Sequence, residues 1–272
     1  MPDSISLNIL IEPEELLPHL AADNILLVHI AQEEAYLAGH LPGAVHVHPA
    51  ELISGIRPAV GRLPDQDRLE ALFSRLGYRP DLHIVAYDDE GGGWAGRFIW
   101  TLDVIGHRRA SMLNGGLIAW ARDGHPLIRE SVSREPTTVC LRMDSSPIAE
   151  KEDILSSLES NSAVIWDARS QEEYLGLKSG SARAGHIPGA VNLDWLLTMD
   201  RARDLRIRLD IKEVLAGLGI DGSKPIITHC QSHHRSGLTY FIGRWLGLDI
   251  RAYHGSWSED RKSTRLNSSH QI

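Results

Sequence analysis

The feature that most limits what this chain can fold into is that its two halves repeat one another. Tyr36 to Ala44 reads YLAGHLPGA, and Arg183 to Ala190 reads RAGHIPGA. Each is preceded by an apolar strand pattern, Asn24 to Ile30 (NILLVHI) or Ala163 to Ala168 (AVIWDA), and then by a Gln-Glu-Glu helix start at Gln32 or Gln171. A short strand follows each, AVHV in one half and AVNL in the other. Further on, LHIVAYDD (Leu82 to Asp89) matches KPIITHC (Lys224 to Cys230), both buried-strand patterns that run into a loop. Each half closes on a similar phrase, MLNGGLIAW at Met112 to Trp120 and AYHGSW at Ala252 to Trp257. Five matches in one order make the chain a tandem duplication. Within each half, short apolar strands alternate with helical stretches such as Leu69 to Leu76 and Ser236 to Leu246. That alternation predicts the α/β class, each unit a parallel sheet flanked by helices.

The repeat places a first domain at 1–124, a linker at 125–147 rich in Pro, Ser, Arg and Thr, a second domain at 148–259 and a polar tail at 260–272. The tail, DRKSTRLNSSHQI, has no counterpart in the first half and no apolar anchor, so disorder is expected there. A net charge of −8 gives no bulk attraction to nucleic acid or anionic membrane, so an anionic substrate would need a locally built positive site. Two cysteines exclude a disulfide framework and fit a reducing compartment. Cys140, in the linker, reads as a small semi-buried residue. The start of the chain carries Asp3, Glu12, Glu14 and Glu15 and lacks the basic opening of a signal peptide. No stretch approaches the roughly 20 apolar residues of a membrane span. A soluble, cytoplasmic monomer is expected.

One loop carries chemistry. In ITHCQSHHRSGLTYFIGRWLG a strand ends at Cys230 and a helix starts near Ser236. A cysteine over a helix N-terminus faces unpaired N–H groups and the positive end of the helix dipole. Arg235, five residues on, adds a fixed charge. Both effects favour the thiolate, which is the reactive form. The amides from Gln231 to Ser236 can form a concave nest around whatever the sulfur carries, and His229, His233 and His234 add donors. A merely buried strand-end cysteine would not need this setting.

Cys-x4-Arg-(Ser/Thr) between strand and helix, the preceding GHIPGA and the closing GSW resemble the rhodanese (thiosulfate sulfurtransferase) family. The doubled arrangement is similar to its two-domain bacterial members, and the resemblance spans about residues 5 to 259. It implies that Cys230 takes sulfane sulfur as a persulfide and passes it on by double displacement. It also implies that the loop residues Gln231, Ser232, His233, His234 and Arg235 bind the transferred group. Arg183, just before His186, would hold the donor's anionic end, and Trp195 would either line the pocket or fill the core. Thiosulfate is the expected donor, with 3-mercaptopyruvate as the alternative. Cyanide, a thiol or a protein would accept the sulfur, with neither metal nor organic cofactor needed.

The matching loop of the first half has Asp88 in the cysteine's place, followed by Asp89 and Glu90. Three carboxylates neither attack sulfur nor welcome an anion, so the first domain should be inactive. GGGWAG at Gly91 to Gly96 matches a dinucleotide-binding pattern, but the acidic residues before it would repel a pyrophosphate. His40 and His186 belong to the motif that both halves keep, which points to a structural role. Asp167 and Arg169 read as a structural pair at a strand end. His46 and His48 share a strand face but lack a third metal ligand. Two rivals remain open: a cysteine phosphatase, disfavoured because only four residues separate Cys230 from Arg235, and a non-enzymatic persulfide carrier or regulatory module.

Overall fold

A computed structural model describes residues 7–180 and 183–259, so the tail expected to be disordered lies outside the described residues. The chain forms two compact units, and neither is one uninterrupted stretch of sequence. The first takes the described residues up to Leu52, with Pro64–Asp144 and Asp200–Ile207. The second takes Ile53–Leu63, Ser145–Met199 and the described residues from Arg208 onward.

In the first unit five strands, β1 (Leu10–Ile11), β2 (Ile25–Ile30), β3 (Val45–Val47), β4 (His83–Tyr87) and β5 (Ala110–Leu113), form a sheet in the order β1-β5-β4-β2-β3. All its pairings are parallel. The crossovers are α1 (Pro13–Leu16), α2 (Glu33–Ala38), α3 (Gln66–Arg75), α4 (Gly93–Val104) and α5 (Gly116–Arg122). β2 and β4 are buried at every position, as expected of central strands covered on both faces. One core cluster joins Ile25, Leu27, Val85 and Tyr87 of the sheet to Leu16 and Trp120 of the helices.

The second unit repeats the plan. β6 (Ile148–Ala149), β7 (Val164–Asp167), β8 (Val191–Asn192), β11 (Ile226–His229) and β12 (Ile250–Tyr253) run parallel in the order β6-β12-β11-β7-β8. Its helices are α6 (Lys151–Ser160), α7 (Gln171–Tyr174), α8 (Ile211–Gly217), α9 (Arg235–Trp245) and α10 (Ser256–Glu259). Outside both five-stranded sheets, β9 (Met199–Asp200) and β10 (Arg206–Ile207) pair as a two-stranded ribbon, of which Asp200–Ile207 belongs to the first unit. Ile165, Ile227 and Tyr253 pack with Ile154, Ile187 and Trp257 in the core.

The duplicated motif acts as a clip in both units. His40 Nδ1 lies 2.8 Å from the Tyr36 carbonyl, and His186 Nδ1 lies 2.8 Å from that of Tyr174. Each histidine stacks on the same tyrosine, at 3.8 and 3.7 Å between ring centroids. The tyrosine hydroxyls donate to Ala44 and Ala190, closing the Pro-Gly turn back on the helix that precedes it. Asp167 and Arg169 form an ion pair at 2.6 Å, nearly fully buried. One expectation fails: Cys140 is exposed rather than semi-buried. It lies in a stretch with neither helix nor strand, so no neighbouring layer covers it.

Candidate active site

β11 ends at His229, α9 begins at Arg235, and the loop between them carries Cys230 at 1% exposure. Backbone bonds fix the start of this loop. The Trp257 N–H donates to the Cys230 carbonyl and the Ser258 N–H to that of Gln231, each at 3.0 Å. Ser256, held at φ 52°, accepts the Cys230 N–H on its hydroxyl at 3.4 Å. His233 takes the left-handed conformation (φ 56°), which bends the loop back so that later amides face the sulfur.

Four groups act on the Cys230 thiol. Burial pushes its pKa up, but the Arg235 charge, the Ser236 hydroxyl and the N–H groups of Ser236 and Ser232 outweigh burial and hold it below the ordinary thiol value. His233 Nδ1 lies 2.8 Å from Ser236 Oγ. For that hydroxyl to donate to sulfur, His233 must donate to it from Nδ1. The two side chains therefore form a short relay aimed at the thiolate.

Arg235 does not point freely at a ligand. It forks onto Glu173 of α7 at 2.5 and 2.9 Å and also reaches Cys230. This pairing raises the guanidinium pKa despite burial and lowers that of Glu173. Behind the loop lies a second charged layer. Arg169 pairs with Asp167, donates to the Gly185 carbonyl at 2.8 Å and lies 4.4 Å over the Trp257 ring. His229 Nε2 is 3.7 Å from Asp167, and burial lowers the histidine pKa.

The matching loop of the first unit is already filled. Asp88, fully buried, accepts from the N–H groups of Glu90, Gly91 and Gly92 on one carboxylate oxygen and from Ala95 on the other, at 2.8 to 3.2 Å. Burial and the Glu90 charge nevertheless push its pKa up to about 6. Three amides of the glycine-rich segment, those of Gly91, Gly92 and Ala95, are thus taken up by the chain's own carboxylate.

The description "Rhodanese-like domain" matches residues 12–123 and again 150–262. The chain belongs to the rhodanese-like family. It is 49% identical over 254 residues to a thiosulfate sulfurtransferase of Pseudomonas aeruginosa, covering 93% of this chain and 94% of that one. It is 48% identical over 260 residues to a thiosulfate sulfurtransferase of Azotobacter vinelandii, covering 95% and 96%. Among solved structures, the SseA 3-mercaptopyruvate sulfurtransferase of Escherichia coli superposes with a TM-score of 0.81 at 26% identity, covering 92% of this chain and 99% of that one.

Of the residues singled out by sequence, Cys230, Ser232, His233 and Arg235 converge around the sulfur. His234 stands at the N-cap position of α9 without a side-chain capping bond, and its ring lies 5.5 Å from that of Trp195. Trp195 is 9% exposed, which combines the wall and core readings. Gln231 lies 3.8 Å from where a Cβ of Gly180 would stand. Arg183 is half-buried, and its carbonyl accepts from Trp257 Nε1 and Ser179 Oγ. Sequence reasoning counted Ser236 only as a helix start and a nest amide, and it missed the Ser236 hydroxyl, Glu173 and Ser256. Ser236 was signalled by the hydroxyl that follows the arginine in the motif. Glu173 carried no such signal: the Gln-Glu-Glu starts match it to Glu34, and only the strand register puts Ala35 in its place.

Proposed function

We propose that this chain is a thiosulfate sulfurtransferase working through a Cys230 persulfide, with the first repeat as a non-catalytic partner domain. The observation that carries this reading is the convergence of Arg235, the Ser236 hydroxyl and the loop amides on a buried thiol whose pKa they lower. Such a site stabilises a compact sulfur anion before and after transfer.

The Cys230 thiolate attacks the outer sulfur of thiosulfate. A sulfur–sulfur bond forms to Cys230, and the bond to the sulfonate sulfur breaks, its electron pair leaving as sulfite. The persulfide anion then occupies the nest, stabilised by the same donors that held the thiolate. Cyanide, or a small or protein thiolate, attacks the outer persulfide sulfur and returns the Cys230 thiolate, giving thiocyanate in the first case. Each step is a two-electron displacement, and its balance needs neither metal nor organic cofactor. Arg183, at the start of the second GHIPGA motif, is suited to meet the sulfonate end. Thiosulfate is favoured over 3-mercaptopyruvate by the much higher identity to relatives named for it. A monomer working in the cytoplasm fits this reading, and no helix among the described residues is long and apolar enough to cross a membrane.

Mass spectrometry after thiosulfate treatment tests the proposal. The protein is expected to gain one sulfur, about 32 Da, on Cys230 and to lose it to cyanide with formation of thiocyanate. No adduct on Cys230 would overturn the sulfur-transfer reading. An adduct that discharges to protein thiols but not to cyanide would replace the enzyme with a carrier.

A further inference from the structure

The second compact unit includes Ile53–Leu63, a stretch that belongs by sequence to the first repeat. Two internal bonds close this stretch into a tight loop: Ser54 N–H to the Arg62 carbonyl at 2.7 Å and Gly55 N–H to that of Val60 at 3.0 Å. Its end is tied down in three places. Arg62 donates to Glu150 at 2.7 Å and to Glu259 at 2.8 Å, and the Leu63 N–H donates to His254 Nδ1 at 3.2 Å. Glu259 and His254 flank the segment whose Trp257 and Ser258 N–H groups hold the carbonyls of Cys230 and Gln231.

Gly61, buried next to the tied end of this strap, lies against the catalytic loop. A Cβ added there would fall 1.9 Å from the Ser232 carbonyl oxygen, 2.5 Å from its carbon and 2.9 Å from its Cα. All three are backbone atoms, so no flexible side chain can swing aside. The backbone N–H of this same Ser232 is one of the groups that lower the Cys230 pKa. Ser232 is therefore held between the sulfur on one side and Gly61 on the other.

We propose that Gly61, clamped by Arg62, is a positioning residue for sulfur transfer: its bare Cα sets how closely the Ser232 amide approaches Cys230. This rests on Cys230 being the sulfur carrier. Nothing in the motifs of the catalytic loop announces it, because the residue lies about 170 positions upstream of the cysteine it serves.

The test compares wild type, Gly61→Ala and Arg62→Lys in the full chain. It reads the pH dependence of Cys230 alkylation by iodoacetamide, together with kcat and KM for thiosulfate and cyanide. Gly61→Ala must push the Ser232 peptide away. Its alkylation midpoint is expected to rise by about one pH unit, with kcat down about tenfold or more while thermal unfolding stays cooperative. Arg62→Lys loses the two-carboxylate fork and is expected to move both readouts the same way by less. It also keeps the proposal falsifiable should Gly61→Ala fail to fold. Gly217→Ala, at a site in α8 with open space for a methyl, is the control expected to match wild type. Alkylation midpoints within about 0.2 units of wild type, in whichever of the two strap variants folds, would overturn the proposal. Failure of the sulfur-transfer reading shows separately, as a wild type that takes no sulfur from thiosulfate.

Discussion

The loops after β4 and β11 are the same loop twice, built on the same strand register and opening the same long helix. In one the anion nest closes on a carboxylate of the chain itself; in the other it closes on a thiol. The difference spreads outward from that residue. Where the second unit has Arg235 and Ser236 at the head of α9, the first has Gly93 and Trp94 at the head of α4. Where Glu173 braces the arginine, the first unit has Ala35. One layer deeper, β7 pairs Asp167 with His229 across the sheet, and β2 pairs His29 with Tyr87 at the matching position. His29 stacks on Tyr87 at 4.5 Å, and neither ring nitrogen has a hydrogen-bond partner among the described residues. The buried Asp167–Arg169 ion pair backs the cysteine loop, and an aromatic stack backs the loop of Asp88. The two loops thus differ over several layers while the sheet order around them stays the same.

The largest effect should come from trying to move the cysteine. Cys230→Ser is expected to lower thiocyanate formation by at least about 10³-fold, and adding Asp88→Cys should restore none of it, because Gly93 and Trp94 supply neither charge nor hydroxyl. Recovery to a tenth of wild-type activity in the double variant would break the comparison by showing that the cysteine alone decides.

A smaller effect separates the two inner layers. Asp167→Asn leaves Arg169 buried without its counter-charge and should cost about 3–5 kcal/mol in urea unfolding. His29→Phe keeps the stack and should cost little at pH 7. Burial lowers the His29 pKa from 6.5 to about 3, so the unfolded chain binds a proton that the folded one refuses. Wild-type stability must therefore fall as the pH drops from about 6.5 toward 3, and His29→Phe should flatten that fall. Equal pH profiles for the two proteins would show that His29 is not held neutral.

Smallest is the effect at Glu173, whose contacts with Arg235 are only partly shielded from water. Glu173→Gln should cost about 1–2 kcal/mol near neutral pH. Because folding depresses the Glu173 pKa, the pair's contribution is complete above the ordinary carboxylate value of 4.5 and is lost as the pH falls through the lower folded value. The gap between wild type and variant should accordingly close in acid. A gap that stays constant to pH 3 would mean that Glu173 acts through packing instead of charge.

The sequence by itself determined much of this. The ordered repeats fixed two α/β units with one topology, because a period shared by strands, turns and helix starts leaves few other ways to bury the apolar runs. The cysteine loop announced its chemistry because nest, helix start and arginine are all local, within a few residues of Cys230. Tertiary structure alone decided what depends on distance across the fold. It brought Glu173 onto Arg235, 62 positions apart, and laid Trp257 beneath Arg169. It also placed Gly61 of the first repeat against Ser232 of the second. Pairings of this kind leave no spacing in the chain, because they are set by how strand ends and connecting loops pack once the sheets have formed.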